Sequence, residues 1–304
     1  MRFLTRSAAA LCALAVFCTS AARDDDPARA PLDELTVESL LARFAPVVLL
    51  SPGERALPAN VDWYLARAGR GGDTPGAGAP RAAEATLLEG WDAFLREVGR
   101  GVERLRPHTA ARPGSPDPRD WTVYGHVYPA QGAGVLVQYW FFYPFNDFHV
   151  LFDHEGDWEH VTVRLDALLR PVGAWFARHR WSAPGEWFPW SALAREGDHP
   201  VVLSARGSHA SYAAPEDVLW WDRACPTRDP AAAEGAGCRV WRTWAPSTGG
   251  VVDTGARNRP RARAAFLAWP GQWGTMGWFR RDTGGPRGPA YQQGWCSEGL
   301  SGCT

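Results

Sequence analysis

Val135-Leu136-Val137-Gln138-Tyr139-Trp140-Phe141-Phe142-Tyr143-Pro144-Phe145 is a run of β-branched and aromatic side chains broken by one amide and one proline. Such a run suits a central strand rather than a helix. Working outward, Trp121–Val127 precedes it and Glu159–Leu165 follows, and both read as strands. Val201–Ala205 is short and apolar, and Val218–Trp221 and Val240–Trp244 are expected to pair as a hairpin. Short strands separated by Gly/Pro turns predict a mostly β fold: a β-sandwich or strongly curved antiparallel sheets with peripheral helices.

Helical signals are confined to the first third of the chain. Thr36 is positioned to cap a short helix through Leu40, Leu41 and Phe44, with Glu38 near its start. Leu87, Leu88, Trp91, Phe94, Leu95 and Val98 recur at helical spacing, which predicts a helical insertion near 82–99. Residues 69–80 and 107–120 are Gly/Pro-rich and read as loops.

Residues 1–22 have the form of a signal peptide: Arg2 and Arg6, an apolar core Ala8–Phe17 too short to span a bilayer, then small residues at 19–22. A lipoprotein cysteine at Cys18 is the rival reading. Residues 23–34 are acidic and form a flexible lead-in, and 35–304 is expected to be a single domain. Removing Arg2 and Arg6 takes the formal charge from −1 to −3, so no global basic field points to nucleic acid. The mature chain is expected to lack a transmembrane segment, and to be secreted or periplasmic. Export makes disulfides plausible, and sequence order suggests Cys225–Cys238 and Cys296–Cys303, with two other pairings formally allowed.

The chemistry concentrates in Asp153-His154-Glu155-Gly156-Asp157-Trp158-Glu159-His160. Carboxylates at 157 and 159 are two residues apart, so a strand points both to one face. Two like charges there require a cation, a proton or an arginine. A metal held by His154, Asp157 and Glu159 is the leading reading. The alternatives are an ion-pair network in which Arg164 or another arginine neutralises the acids, or a solvated acidic turn. Carboxylates with one imidazole suit calcium, magnesium or manganese. Asp153 and Glu155 read as second-shell or solvent-facing groups. His160 alternates with Glu159 and faces away in a regular strand, as a structural histidine or as second-shell support or a general base. His209, behind Gly207-Ser208, belongs either over the same cavity or in a structural turn, and His126 and His149 are weaker candidates.

Several segments resemble the Vps62-related (DUF946) family: Leu41-Ala42-Arg43-Phe44-Ala45-Pro46, Ser51-Pro52-Gly53-Glu54, Val61-Asp62-Trp63-Tyr64, Gln138–Pro144, Gly156–His160 and Gly207-Ser208-His209-Ala210-Ser211-Tyr212. Gly271-Gln272-Trp273-Gly274 and Gly285–Pro289 are similar too. More distantly, Tyr139–Pro144 followed by His154-x-x-Asp157-Trp158-Glu159 resembles the necrosis- and ethylene-inducing peptide-like (NLP) proteins. That resemblance implies a secreted β-sandwich with a bound divalent cation that recognises membrane sphingolipid head groups. It also implies His154, Asp157 and Glu159 as ligands, with an upstream aspartate falling on Asn146, beside Asp147. The chain departs from the pattern at Asn146 and at Gly156, where the motif has a second histidine.

Seventeen tryptophans are unusual for this length; most are expected in the core, while Trp220 and Trp221 lie in a turn-rich segment where they suit a ligand rim. Arg257 and Arg259, alternating with Arg261 and Arg263, suit an anionic head group if extended, or a solvated basic loop. Three functions fit: recognition of a glycan or phosphorylated lipid head group through a divalent cation, metal-dependent hydrolysis of a phosphodiester or ester with His209 or His160 as base, or a purely structural metal.

Overall fold

The computed structural model describes residues 32–69, 105–107, 109–148, 153–178, 185–274 and 285–295. The leader 1–22, most of 23–34, the expected helix at 82–99, His149 and the pair Cys296/Cys303 lie outside the described residues. The described chain begins with helix α1 (Glu34–Arg43), β1 (Val47–Leu50), helix α2 (Val61–Leu65) and a short pair, β2 (Ala68–Gly69) with β3 (Arg106–Pro107). The central strands follow: β4 (Val123–Pro129), β5 (Val135–Asn146), β6 (His154–Leu165), β7 (Pro171–Phe176) and β8 (Glu186–Pro189). After them come β9 (Arg195–Glu196), β10 (His199–Ser204), β11 (Ser211–Tyr212), β12 (Arg239–Arg242), β13 (Val251–Asp253), β14 (Gly255–Ala256) and β15 (Arg259–Pro260).

Two main sheets result. One has the order β13-β4-β5-β6-β7-β8, and the other runs β11-β10-β1-β12 with β9 added on β10. The expected β-sandwich of strongly curved antiparallel sheets is not what forms. Both sheets are open and mixed, because β1 runs parallel to β10 and β13 parallel to β4. The long excursion from β1 to β10 leaves room for the crossover that parallel pairing requires. The mostly β character and the peripheral helices remain.

The β5–β6 ladder is the spine of the larger sheet, pairing from Val135↔Leu165 to Asn146↔His154. Both of its faces are covered, which explains why apolar side chains occupy both alternations of the run. Val137, Tyr139, Phe141 and Tyr143 share one core with Val161 and Val163, and with Val48, Val202 and Trp241 of the other sheet. Leu136, Trp140, Phe142 and Trp158 face a second core with Tyr64, Phe266, Trp269, Trp273 and Trp295. Most tryptophans are spent here as packing.

Two local expectations are corrected. The cap of α1 is Asp33, whose side chain accepts from the Thr36 amide at 2.8 Å and from the Thr36 hydroxyl at 2.9 Å. Thr36 is therefore inside the helix, and the carboxylate outcompetes it as the acceptor for the free first-turn amides. Residues 218–221 form no strand, and β12 pairs instead with β1 through Leu49↔Val240. Cys225 and Cys238 are disulfide-bonded, tying that segment to the start of β12.

Candidate functional site

Strand β6 begins earlier than the apolar pattern suggests, so the acidic motif lies inside the strand instead of at a turn before it. Gly156 makes this workable. Its φ of +76° is a left-handed conformation, and a Cβ there would stand 2.3 Å from the Trp273 Cβ and 2.5 Å from the Trp273 carbonyl. This kink reverses the alternation of side chains. His154 and Asp157, three apart, meet on one face at 3.2 Å, while Glu155 is sent to the opposite side. The same contact explains the departure noted at this position: no imidazole fits where Trp273 packs.

Asp157 is the hub. Its Oδ1 meets His154 Nε2, and its Oδ2 accepts from His209 Nδ1 at 2.8 Å. His209 adopts a positive φ of 54°, rare for a side-chain-bearing residue, in the tight turn after β10. Its amide donates to the Ala205 carbonyl and Gly207 packs against the Asp147 backbone, where a Cβ would come within 2.3 Å of that carbonyl oxygen. The ring stacks on Tyr143 at 3.8 Å and 4°, and its side chain has no solvent exposure. Nε2 donates to the Ala56 carbonyl at 3.1 Å and lies 3.7 Å from Glu54.

A carbonyl on one ring nitrogen and a carboxylate on the other require two N–H donors, so His209 is an imidazolium. Burial alone would lower its pKa, but Glu54 and Asp157 overcome that and push it up to about 10. Burial likewise works to raise Asp157, and the bonds from His154 and His209 hold it down to about 2. Glu54 shows the same balance, lowered to about 2 by His209 and by the amides of Ala56 and Gly207. Its carboxylate accepts from Arg55, Ala56 and Gly207 at 2.7, 2.8 and 2.8 Å, which fastens the turn after β1 to the His209 turn.

Glu159 is different. Burial first, then the charges of Asp157 and Asp222, raise its carboxyl well above the usual range. It makes no hydrogen bond or ion pair among the described residues. Asn146, opposite His154 in the ladder, has a buried Oδ1 with no partner, while its amide nitrogen contacts the Ser208 carbonyl at 3.4 Å. Asp222 closes the far side, accepting from Ser208 Oγ at 2.9 Å and from the Tyr212 hydroxyl.

The other expected residues separate cleanly. Asp147 is exposed, and Asp153 is partly buried with one unpartnered oxygen. Glu155 pairs with Arg112 at 3.2 Å in the second core. His160 packs against Trp140 with the rings tilted at 45°, on the opposite face, away from Glu159. His126 is buried between Tyr128 and Trp295. Arg164 reaches the Gln131 carbonyl, and among the acids of the motif it is Glu155 that an arginine, Arg112, meets. Trp220 and Trp221 adjoin Asp222, with Trp220 88% exposed. Arg257 lies over Tyr291, and Arg259 sits exposed in β15; neither joins the cluster. Glu54, Asp222, Ser208 and Tyr143 belong to the site and were not singled out as site residues from the sequence.

The donor set, two carboxylates with imidazole and amide oxygen, is of the kind hard divalent cations take. Among the described residues no three His, Cys, Asp or Glu side chains are gathered around a single point as metal ligands. The arrangement is instead closed by the His209 proton, with Glu159 and the Asn146 oxygen left over. The buried, unpartnered Asn146 oxygen and the partly buried carboxylate of Glu159 are the groups here that a cation would suit.

Residues 114–225 match the profile of the family described as Vacuolar protein sorting-associated protein 62. Solved structures that resemble the chain include NLPPya in complex with mannosamine, 16% identical over 78% of this chain and 82% of that one, TM-score 0.38. Another is Necrosis and Ethylene inducing Protein 2 from the causal agent of cocoa's Witches Broom disease, 18% identical over 75% and 78%, TM-score 0.33. The non-toxic HaNLP3 protein is 15% identical over 57% and 65%, TM-score 0.32. No curated protein matches the chain. The chain thus resembles the Vps62-related family and, more distantly, the NLP proteins. At these scores the structural likeness extends to neither site nor ligand.

Proposed function

We propose that this Vps62-like chain is an exported recognition protein that uses a divalent cation at the Asp157 cluster to engage a glycan or a phosphorylated lipid head group. One observation carries the reading: the partly buried Glu159 makes no hydrogen bond or ion pair among the described residues, and the buried Asn146 Oδ1 has no donor, in the strand pair that carries Asp157 and His154. Burying such groups uncompensated is costly, and a cation removes the cost. His154, Asp157, Glu159 and Asn146 would hold it. Bound there, the cation supplies open positions for hydroxyl or phosphate oxygens.

The protein's own groups do the positioning. Glu54 and the Gly207 amide fix the His209 turn, and Asp222 anchors the segment that carries Trp220. An indole this exposed beside a polar cluster suits the face of a sugar or the polar boundary of a lipid surface. Arg55, Arg206 and Arg223 are exposed on the neighbouring turns and suit an anionic ligand. The two histidines expected as bases suit the hydrolytic alternative poorly: both His209 nitrogens are engaged in the interior, and His160 faces the other way.

The reading is tested by titrating chelator-treated full-length protein with calcium, magnesium and manganese by calorimetry. Saturable one-site binding that Asp157→Asn and Glu159→Gln each weaken at least tenfold supports it. Heat without saturation at millimolar cation, or binding indifferent to both variants, refutes it. Cation-dependent retention on a glycan array or on vesicles carrying phosphorylated lipid then identifies the ligand class.

A further inference from the structure

A groove of about 560 Å³ lies where α1, β13 and the 3₁₀ segment Ala262–Ala268 meet. It shares no residue with the Asp157 cluster. Leu41, Ala42, Trp244, Val251 and Val252 line it with apolar surface, and three acids, Glu34, Glu38 and Asp253, stand around it with Arg261 and Arg263. Its size is that of a pocket for a small organic molecule.

The charges do not cancel. Arg261 is already committed, its Nε to Asp253 at 2.8 Å and a terminal nitrogen to Glu34 at 3.0 Å. Glu38 lies near enough to Arg261 to act on its charge, but makes no hydrogen bond among the described residues. Arg261 and Arg263 thus stand against three carboxylates, which leaves one negative charge in excess at the groove. Trp244 completes the wall. One face of its indole is covered by His199, parallel at 3.5 Å and 9°, and His199 is itself pinned by Nδ1 donating to the Ala45 carbonyl at 2.7 Å. The ring is thus held rigid at the groove.

We propose that this groove binds an organic cation, a protonated amine carried on an aromatic or aliphatic body. The amine is drawn to Glu38, the one of the three carboxylates not paired with Arg261, and to the indole of Trp244. The body replaces water on Leu41, Val251 and Val252. An aromatic wall beside excess carboxylate is the arrangement that favours ammonium over neutral or anionic groups. An anionic ligand of the same shape meets repulsion from the same three acids.

The test uses full-length protein and three probes that share a benzyl group and differ in charge: phenethylammonium, benzyl alcohol and phenylacetate, followed by ligand-observed NMR and Trp fluorescence. The ammonium is expected to bind saturably and on the order of tenfold more tightly than either counterpart. Glu38→Gln, at an exposed helix position, is expected to weaken the ammonium about fivefold and leave the alcohol unchanged, with thermal unfolding confirming that the fold is intact. Trp244→Leu is expected to weaken the ammonium as well. Phenylacetate or benzyl alcohol binding as tightly as the ammonium would overturn the proposal. So would an unaltered ammonium affinity in Glu38→Gln, or no saturation by any probe at 10 mM.

Discussion

Replacing Gly156 with alanine is the sharpest probe of how β6 presents its acids. The methyl group must occupy a left-handed backbone position, which costs about 1–2 kcal/mol. It must also occupy space 2.3 Å from the Trp273 Cβ and 2.5 Å from its carbonyl oxygen. Trp273 cannot retreat cheaply, because it is fully buried and packs against Phe142, Trp158, Phe266 and Trp269. Overpacking of this kind adds about 1–3 kcal/mol, for a combined loss of about 2–5 kcal/mol. Gly132 is an internal control: its φ is +77°, yet nothing lies within 4 Å of a Cβ built there. Gly132→Ala should therefore show the backbone cost alone, about 1–2 kcal/mol. Equilibrium urea unfolding of both variants, read from the midpoint at unchanged slope, gives the difference. If Gly156→Ala proves no more destabilising than Gly132→Ala, the packing of the kink against Trp273 is not what holds the motif.

Three further outcomes follow from the same structure. Cys225→Ser with Cys238→Ser opens a loop of sequence separation 13 and should lower stability by about 3 kcal/mol, measured against the wild type under non-reducing conditions. His126 is lowered to about 3 by burial, so it is neutral in the fold and protonates more readily when unfolded. Its contribution is complete above the unfolded pKa of 6.5 and is lost as pH falls toward 3, a loss of a few kcal/mol overall; the urea midpoint should follow this course, and His126→Phe should make it shallower, leaving the share of His160, which burial also lowers to about 3. Trp220→Ala, at an 88% exposed position, should leave the unfolding midpoint within about 0.5 kcal/mol while reducing retention on whichever glycan or vesicle the wild type binds; a stability loss above about 1 kcal/mol would mean the indole is structural.

The spine of the fold could be read from residue types, because a strand buried on both faces advertises itself as a β-branched and aromatic run, and β5 does so. The mixed topology could not. Nothing in Val47–Leu50 says that β10 and β12 will flank it, since pairing partners so distant in sequence leave no local pattern. Within the site, the facing of Asp157 and Glu159 follows from two-residue spacing, but regular alternation alone would set His154 on the opposite face from Asp157. The reversal depends on Trp273, more than a hundred residues away, leaving no room for a side chain at 156. Glu54 and Asp222 were hidden for a similar reason: each is a lone acid in a turn, and only the fold brings it to His209 or Ser208. The cap of α1 shows the local version of this limit, where Asp33 and Thr36 are both competent and the longer reach of the carboxylate settles which one accepts.

The most direct measurement is a crystal structure of the full-length protein grown with manganese, with anomalous data collected above the metal edge. The account predicts an anomalous peak bonded to Asp157, Glu159 and His154, with the Asn146 Oδ1 turned toward it. A map without a peak there, showing Glu159 still unpartnered at saturating manganese, would contradict it.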